Sequence, residues 1–300
     1  MNYVMGFDGG GTKTECVLMD PSGKILARSI AGLSNPSRVG VESAAREIEK
    51  AADLCLQEVR GARTAVAALG AGLAGTTDPG RKERMKTALA GAFPGAAVHI
   101  FTDLEMALAA AGEGRVIVLV AGTGSAAIGR DAQGQIWRTG GYGPLHSDDG
   151  SAYDIGCRAV ARAIKDREER GTDTQLGKNI LQQLGYESWP DLQQRATQQP
   201  DSVFPLVFPV VAAAADEGDA TAREILVQAA RELASLVQAV AEHGAYGREE
   251  ILIAKTGGTV GRSAFFDAQL DAALKRVLPE ARIGGLRMSP AEAAARAARY

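Results

Sequence analysis

Gly6-Phe7-Asp8-Gly9-Gly10-Gly11-Thr12-Lys13-Thr14 has a fainter copy 111 positions downstream. Gly11, Thr12, Thr14, Asp20, Gly23 and Ile25 are matched without a gap by Gly122, Thr123, Ser125, Asp131, Gly134 and Ile136. Both copies follow one plan: apolar run, glycine–threonine turn, small-residue strand, polar turn, further apolar run. Glycines at 9, 10 and 11 let the backbone turn tightly and bring N–H groups close to an anion. Thr12 and Lys13 add a hydroxyl and a charge at the tip, and Asp8 is suited to orient a hydrated Mg²⁺. An ordinary hairpin with a glycine tip explains one copy. Two copies facing one another suit a polyphosphate held between them. The stretch is not a Walker A loop, because Gly11 precedes Thr12 rather than a lysine, and a strand follows instead of a helix.

Working outward, Tyr3–Phe7, Cys16–Met19 and Ile25–Ser29 read as three antiparallel strands, with Asp8–Thr12 as a turn and Asp20-Pro21-Ser22-Gly23 as another. Glu42–Val59 follows at helical spacing, then strand Thr64–Leu69, helix Arg81–Phe93, strand Val98–Phe101 and helix Leu104–Ala111. The second copy opens at Val116, and residues 151–245 read as mostly helical. Ile251–Ala254 and Arg282–Leu286 read as strands, 263–277 and Pro290–Arg299 as helices. Strand triplet, helix, strand, helix, with the leading part repeated, predicts two related α/β domains around a cleft, 1–114 and 115–300. The second carries the helical insertion, and the final helix is free to pack back on the first.

The 300 residues are 46% hydrophobic and 23% charged with net charge −3, ordinary for a globular chain and without the basic field that nucleic acid requires. The apolar runs are too short to span a bilayer. No charged-then-apolar leader precedes the first strand, which points to the cytoplasm. Cys16, Cys55 and Cys157 are scattered, arguing against a disulfide framework, zinc site or iron–sulfur site.

Gly70-Ala71-Gly72-Leu73-Ala74-Gly75 spells a dinucleotide fingerprint after a strand. Thr76-Thr77-Asp78-Pro79-Gly80 breaks the chain where a helix should open, and Asp103 lies later than the roughly 20 residues expected of a ribose partner. These glycines are better explained by a loop passing close to substrate or the other domain. Thr102-Asp103-Leu104-Glu105 joins strand to helix as a capping box. Asp103 there is also placed to accept a hydroxyl proton in phosphoryl transfer, where positioning matters more than base strength. The polar loop Gly140–Ser151 reads as a binding loop or a loose connection. Asp148 and Asp149 are suited to cap the following helix, and Asp148 to accept bonds from sugar hydroxyls. His146 has no ligand-spaced partner. Thr256-Gly257-Gly258-Thr259 is a plain turn or a backbone approach to adenine.

Taken together, Asp8–Thr14, Leu33-Ser34-Asn35, Thr102-Asp103, Gly122–Ser125, Gly140–Gly143, Asp148–Tyr153 and Gly257-Gly258 resemble the BadF/BadG/BcrA/BcrD-type ATPases, and within them the N-acetylglucosamine kinase-like sugar kinases. The resemblance implies the duplicated ribonuclease H-like (actin/hexokinase) fold, with ATP and Mg²⁺. It implies that Thr12 and Thr123 contact phosphates, with Gly9, Gly10, Gly11 and Lys13 beside them, and that Asp103 is the base and a sugar contact. Asn35, Gly124, Ser125, Gly141, Tyr142, Gly143 and Asp148 would line the sugar pocket. Gly257, Gly258, Thr259 and Ser263 would hold the nucleoside, and Asp8 the Mg²⁺ through water. Tyr142 stands where such kinases often have tryptophan, Ser147 replaces a usual glycine, Asp149 a usual glutamate, and Ala293-Ala294-Ala295 a region that tends to carry glycine. The implied reaction is phosphorylation of N-acetylglucosamine to its 6-phosphate, with glucosamine or N-acetylmuramic acid as alternatives. The other branch, ATP-driven activators acting on a partner protein, needs exposed cysteine pairs for a bridging cluster. A homodimer paired through the second domain is the implied assembly.

Overall fold

The computed structural model describes residues 2–244, 246 and 251–299. The chain divides into two compact units, Met1–Glu113 with Leu286–Tyr300, and Gly114–Gly285.

The first unit opens with strands β1 (Tyr3–Gly9), β2 (Thr14–Met19) and β3 (Ile25–Ala31), then the single-turn helix α1 (Pro36–Val39) and α2 (Val41–Glu58). Strand β4 (Val66–Leu73), α3 (Pro79–Ala92), β5 (Ala97–Thr102) and α4 (Asp103–Ala111) complete its first stretch. The second unit repeats the beginning with β6 (Val116–Ala121), β7 (Ser125–Arg130) and β8 (Ile136–Gly140). Helices α5 (Ala152–Arg170), α6 (Gln175–Leu184), α7 (Trp189–Gln198), α8 (Phe204–Asp216) and α9 (Ala220–His243) follow. Then come β9 (Leu252–Thr256), α10 (Ala264–Val277), β10 (Arg282–Gly284) and, back in the first unit, α11 (Pro290–Ala297).

The repeat is a repeat of topology. One sheet runs β3-β2-β1-β4-β5 and the other β8-β7-β6-β9-β10. In each, the first three strands are antiparallel neighbours and the last two lie parallel to the first. This is the duplicated ribonuclease H-like fold. The matched aspartates make the same turn twice: Asp20 Oδ1 accepts from the N–H groups of Ser22 and Lys24, and Asp131 Oδ1 from those of Gln133 and Gln135.

Two local expectations are corrected. Asp8 is not in the turn: β1 runs on to Gly9, and Asp8 pairs with Glu15 across to β2, leaving Gly10–Lys13 as the turn. Gly70 and Gly72 are not in a loop but inside β4, and both serve helix packing. A Cβ at Gly70 would lie 2.2 Å from the Ala294 carbonyl oxygen, and one at Gly72 would lie 2.6 Å from Met106 Cγ. Gly6 does the same on β1, where a Cβ would sit 2.0 Å from the Ala291 carbonyl oxygen. Bare strand surface thus lets the alanine-rich α11 approach the sheet, where Ala291, Ala295 and Ala298 bury against Val4, Val17, Met19 and Ala68. The opposite face of that sheet packs on α2 and α3. The second unit has its own core, built mainly from α5, α8, α9 and the inner strands.

Candidate functional site

In the first unit, parallel strands bring β1, β4 and β5 to one end together, with Gly9 beside Leu73 and Leu73 beside Thr102. The carboxyl ends of such strands are where α/β sheets bind ligands. Asp8 and Gly9 end β1, and Asp103 follows β5 as the first residue of α4. The expected capping box is present: Thr102 Oγ1 accepts from the Glu105 N–H (3.1 Å), and Glu105 Oε2 from the Thr102 N–H (2.7 Å). Asp103 is therefore held at a rigid helix start.

The glycine loop is braced from below. The Gly10 N–H donates to the Lys13 carbonyl (3.0 Å) and the Ser34 N–H to the Gly10 carbonyl (3.2 Å). Thr14, fully buried, donates its hydroxyl to Gly32 O and lies 2.7 Å from Ser34 Oγ. Thr12 and Lys13 are left exposed at the tip. Asn35 is buried, and its Oδ1 caps α1 by accepting from the Ser37 N–H (2.9 Å). Gly75, φ +82°, turns against this amide: a Cβ there would lie 2.3 Å from Asn35 Oδ1. Burial pushes the Asp8 carboxyl up to about 7, helped by repulsion from Asp103 and Glu15 and opposed by Lys13. Asp8, Asp103 and Glu15 therefore form an anionic corner next to the loop.

The second unit gathers its residues at the matching end of its sheet. The Gly122 N–H closes a tight turn on the Gly124 carbonyl (2.9 Å), while the Ala152 and Tyr153 N–H groups at the start of α5 donate to the Gly122 and Thr123 carbonyls. A Cβ at Gly124 would meet the Asp148 carboxylate at 2.6 Å, so Asp148, buried, lies directly against the turn. Ser125 Oγ donates to the Asp149 carbonyl (2.7 Å), and the Gly141 N–H to the Ser125 carbonyl (2.9 Å). The loop Gly140–Ser151 is thereby stitched to the turn. At its outer bend Tyr142 is 66% exposed, with the Arg138 guanidinium over its ring at 5.1 Å. The Tyr142 N–H donates to Ser147 Oγ (2.8 Å), so Ser147 shapes the bend that carries the aromatic ring, with Gly143 beside it. Gly257, φ +115°, fits only as glycine, because a Cβ would lie 2.1 Å from the Ala121 carbonyl oxygen. It and Gly258 form an exposed turn beside Gly122.

Eleven of the sequence-derived positions thus fall in the second unit and eight in the first. They do not all present side chains. Thr259 is buried and donates its hydroxyl to the Ala121 carbonyl (2.7 Å). Ser263 is buried, donates to Asp216 Oδ1 (2.8 Å) and caps α10. Their hydroxyls hold the turn in shape, leaving Gly257 and Gly258 as the exposed backbone. Two arginines escape a reading of motifs. Arg138 carries Tyr142, and Arg38 of α1 reaches the tip of the glycine loop, where a Cβ at Gly11 would lie 2.9 Å from its Nη1. The one signal for Arg38 was its place three residues after Asn35.

The fold brings Cys16 and Cys55, distant in sequence, against one another as free thiols. Cys16 and Cys55 are buried in the first unit, and Cys157 is half-buried in α5. Among the described residues no helix is long and apolar enough to cross a membrane.

Comparison with known proteins agrees with this fold. The chain is 31% identical over 264 residues (87% of this chain, 86% of the relative) to an N-acetylmuramic acid/N-acetylglucosamine kinase of Clostridium acetobutylicum. It is 29% identical over 307 residues (97% and 96%) to an N-acetyl-D-glucosamine kinase of Dictyostelium discoideum. Its fold matches a solved protein of Chromobacterium violaceum assigned as an N-acetylglucosamine kinase, with TM-score 0.83 at 22% identity over 98% of each chain. It also matches a ROK family glucokinase of Streptomyces griseus in complex with glucose and AMPPNP, with TM-score 0.61 at 17% identity over 99% of each chain. The model of the BadF/BadG/BcrA/BcrD ATPase family matches residues 5–298, and the chain belongs to that family.

Proposed function

We propose that this chain is an ATP-dependent kinase of an amino sugar, N-acetylglucosamine first, with N-acetylmuramic acid or glucosamine as alternatives. The observation that carries it is the first-unit corner: a glycine loop with an exposed threonine and lysine at its tip, beside a carboxylate fixed at a helix start. Two relatives that act on N-acetylated amino sugars support the acceptor.

In the proposed reaction Thr12 and Thr123 contact the phosphates of ATP, and Gly9, Gly10, Gly11 and Lys13 cradle them through backbone N–H groups and one ammonium. Gly257 and Gly258 offer flat backbone to the nucleoside, with Thr259 and Ser263 fixing that turn. Asn35, Gly124, Ser125, Gly141, Tyr142, Gly143 and Asp148 line the sugar site, Asp148 accepting from ring hydroxyls. Asp103 accepts the proton of the acceptor hydroxyl, at C6, as its oxygen bonds to the γ-phosphorus. The bond from that phosphorus to the β–γ bridging oxygen breaks, and ADP leaves with the electron pair. Such transfer depends on positioning and electrostatics more than on a strong base.

Mg²⁺ fits the same corner. It takes one or two carboxylates and completes its shell with phosphates and water, and Asp8 offers a carboxylate whose charge is disfavoured first by burial and then by Asp103 and Glu15, so a cation beside it would be favourable. Among the described residues no group of three or more His, Cys, Asp or Glu could hold a metal, so phosphates and water must supply the other ligands. The ion would neutralise phosphate charge there. A homodimer in the cytoplasm is the setting we assign.

The test is ADP release from ATP with and without a panel of amino sugars. Strong stimulation by N-acetylglucosamine supports the reading. A flat basal ATPase rate across the panel sinks it in favour of a nucleotide switch.

A further inference from the structure

We propose that Arg38 is a catalytic residue that contacts the phosphoryl group in flight, an inference that rests on the kinase reading above. The placement follows from the chain. Ser34 is pinned under the glycine loop through the Gly10 carbonyl and through Thr14. Asn35 starts α1 by capping it, and the Arg38 N–H returns to the Asn35 carbonyl (3.0 Å). This single turn cannot shift without releasing the loop. It directs the half-buried Arg38 side chain at Gly11, where a Cβ would lie 2.9 Å from Nη1, 3.4 Å from Cζ and 3.7 Å from Nε. A side chain at Gly11 would meet the guanidinium and displace it from the tip.

Three features give that position a chemical meaning. Arg38 shares its helical turn with Asn35, assigned to the sugar, while its head lies at the loop assigned to the phosphates. A group that spans those two assignments stands where donor and acceptor must meet. The corner is otherwise rich in carboxylates: Asp8 pairs with Glu15 across β1 and β2, and Asp103 opens α4 at the same end of the sheet. A transferring phosphoryl spreads negative charge over its equatorial oxygens, and anions entering that corner need a fixed cation. Lys13 is exposed on a flexible stem, whereas a guanidinium is planar, always charged and offers a fork matched to phosphate oxygens. In other phosphoryl-transfer enzymes an arginine supplied in this way is worth about 10³–10⁵ in turnover.

The experiment compares the wild type with Arg38→Ala and Arg38→Lys in the full chain. It measures sugar-dependent turnover, nucleotide affinity by calorimetry and Tm. For Arg38→Ala we expect kcat to fall about 10²–10³-fold, below the range for a finger because Lys13 remains nearby. AMPPNP affinity should fall several-fold while ADP affinity holds, since only the former carries a γ-group. Arg38→Lys should recover little, and added methylguanidinium should restore part of the turnover of Arg38→Ala. If Arg38→Ala turns over within threefold of the wild type, the assignment is overturned. It is equally overturned if ADP and AMPPNP affinities fall together with Tm and without rescue, the pattern of a loop brace. Should Arg38→Ala not fold, Arg38→Lys decides by the same affinity ratio. A wild type that no sugar stimulates overturns the kinase reading and this one with it, whereas a stimulated wild type beside an unimpaired variant overturns Arg38 alone.

Discussion

The two glycine turns descend from one plan and have diverged in where they keep charge. In the first unit β1 and β2 are joined by the four residues Gly10–Lys13, and the pair one step back from the turn is Asp8 facing Glu15. In the second, β6 and β7 are joined by only three, Gly122–Gly124, and the corresponding pair is Val120 facing Ala126. The frames behind them remain alike, down to the aspartate turns at Asp20 and Asp131. One copy has a lysine at its tip, carboxylates in the strands behind it and the Arg38 guanidinium of α1 beside it. The other has a tighter apolar hairpin backed by the start of α5, with Asp148 as the carboxylate against it. We read this as a division of labour, with the reacting charges on the first unit and backbone grip on the second.

That division breaks most directly at its two aspartates. Asp103→Asn is expected to lower kcat by about 10²–10⁴-fold with AMPPNP affinity nearly unchanged, because it removes the proposed proton acceptor and keeps the shape. Asp148→Asn should instead raise KM for the sugar and leave kcat within about tenfold, as loss of a binding contact does. Steady-state kinetics on both variants checks this. Near-normal turnover of Asp103→Asn, with abolition in Asp148→Asn, would reverse the assignment of roles.

A smaller effect probes how each sheet is covered. Gly70→Ala puts a methyl group 2.2 Å from the Ala294 carbonyl oxygen, so α11 must lift. Overpacking of this kind costs about 1–3 kcal/mol. Gly91→Ala in α3 meets nothing within 4 Å and is expected to be neutral or to stabilise by up to about 1 kcal/mol through helix propensity. Hydrogen exchange should show amides of β1 and β4 losing protection in Gly70→Ala while β6 and β9 hold theirs. Equal loss in both sheets would mean that the units unfold as one.

The same residues show what was legible in the sequence. The capping box of Thr102 and Glu105, the paired aspartate turns and the glycine hairpins were readable because each is closed by residues a few positions apart. The motif Gly70–Gly75 was not, because its partner α11 lies more than two hundred residues further along, and nothing local says that Ala294 needs a bare strand. Thr259 misleads for the same reason: its hydroxyl is taken by Ala121, 138 positions away. Arg38 could be named only once Ser34 was seen pinned under the loop. Local signals fixed the turns, and distant packing decided which side chains remain available to a ligand.

Asp8 supplies a pH test of the charged corner. Its pKa is about 7 when folded against 3.8 for the ordinary group, so the folded state holds the proton more tightly. Stability from this site is present below the unfolded pKa and is lost as pH rises from about 4 to 7. Asp8→Asn should therefore stabilise the ligand-free protein above pH 7, by about 1–2 kcal/mol once screening of a half-buried group is allowed for, and make no difference below pH 4. Thermal melts at both pH values check it. A difference that persists at low pH would place its origin in packing and not in charge.

The smallest effect separates the two turns that look most alike. Asp20 is held low first by the Ser22 hydroxyl, with backbone N–H groups of Lys24, Ser22 and Gly23 adding to it. Asp131 is held low first by the Trp137 indole N–H (3.0 Å), then by the Gln135 and Gln133 backbone. Both carboxylates stabilise the fold when ionised, above the unfolded pKa, and that contribution fades as pH falls through their lowered folded values. Asp131→Ala also leaves a half-buried indole donor without its acceptor, whereas Asp20→Ala strips a turn that faces water. Asp131→Ala is thus expected to lower Tm more than Asp20→Ala at pH 7 and to perturb the fluorescence of Trp137, with the gap closing towards pH 3. Equal losses would mean that the Trp137 bond adds nothing beyond the turn, and that the duplication preserved its energetics as well as its shape.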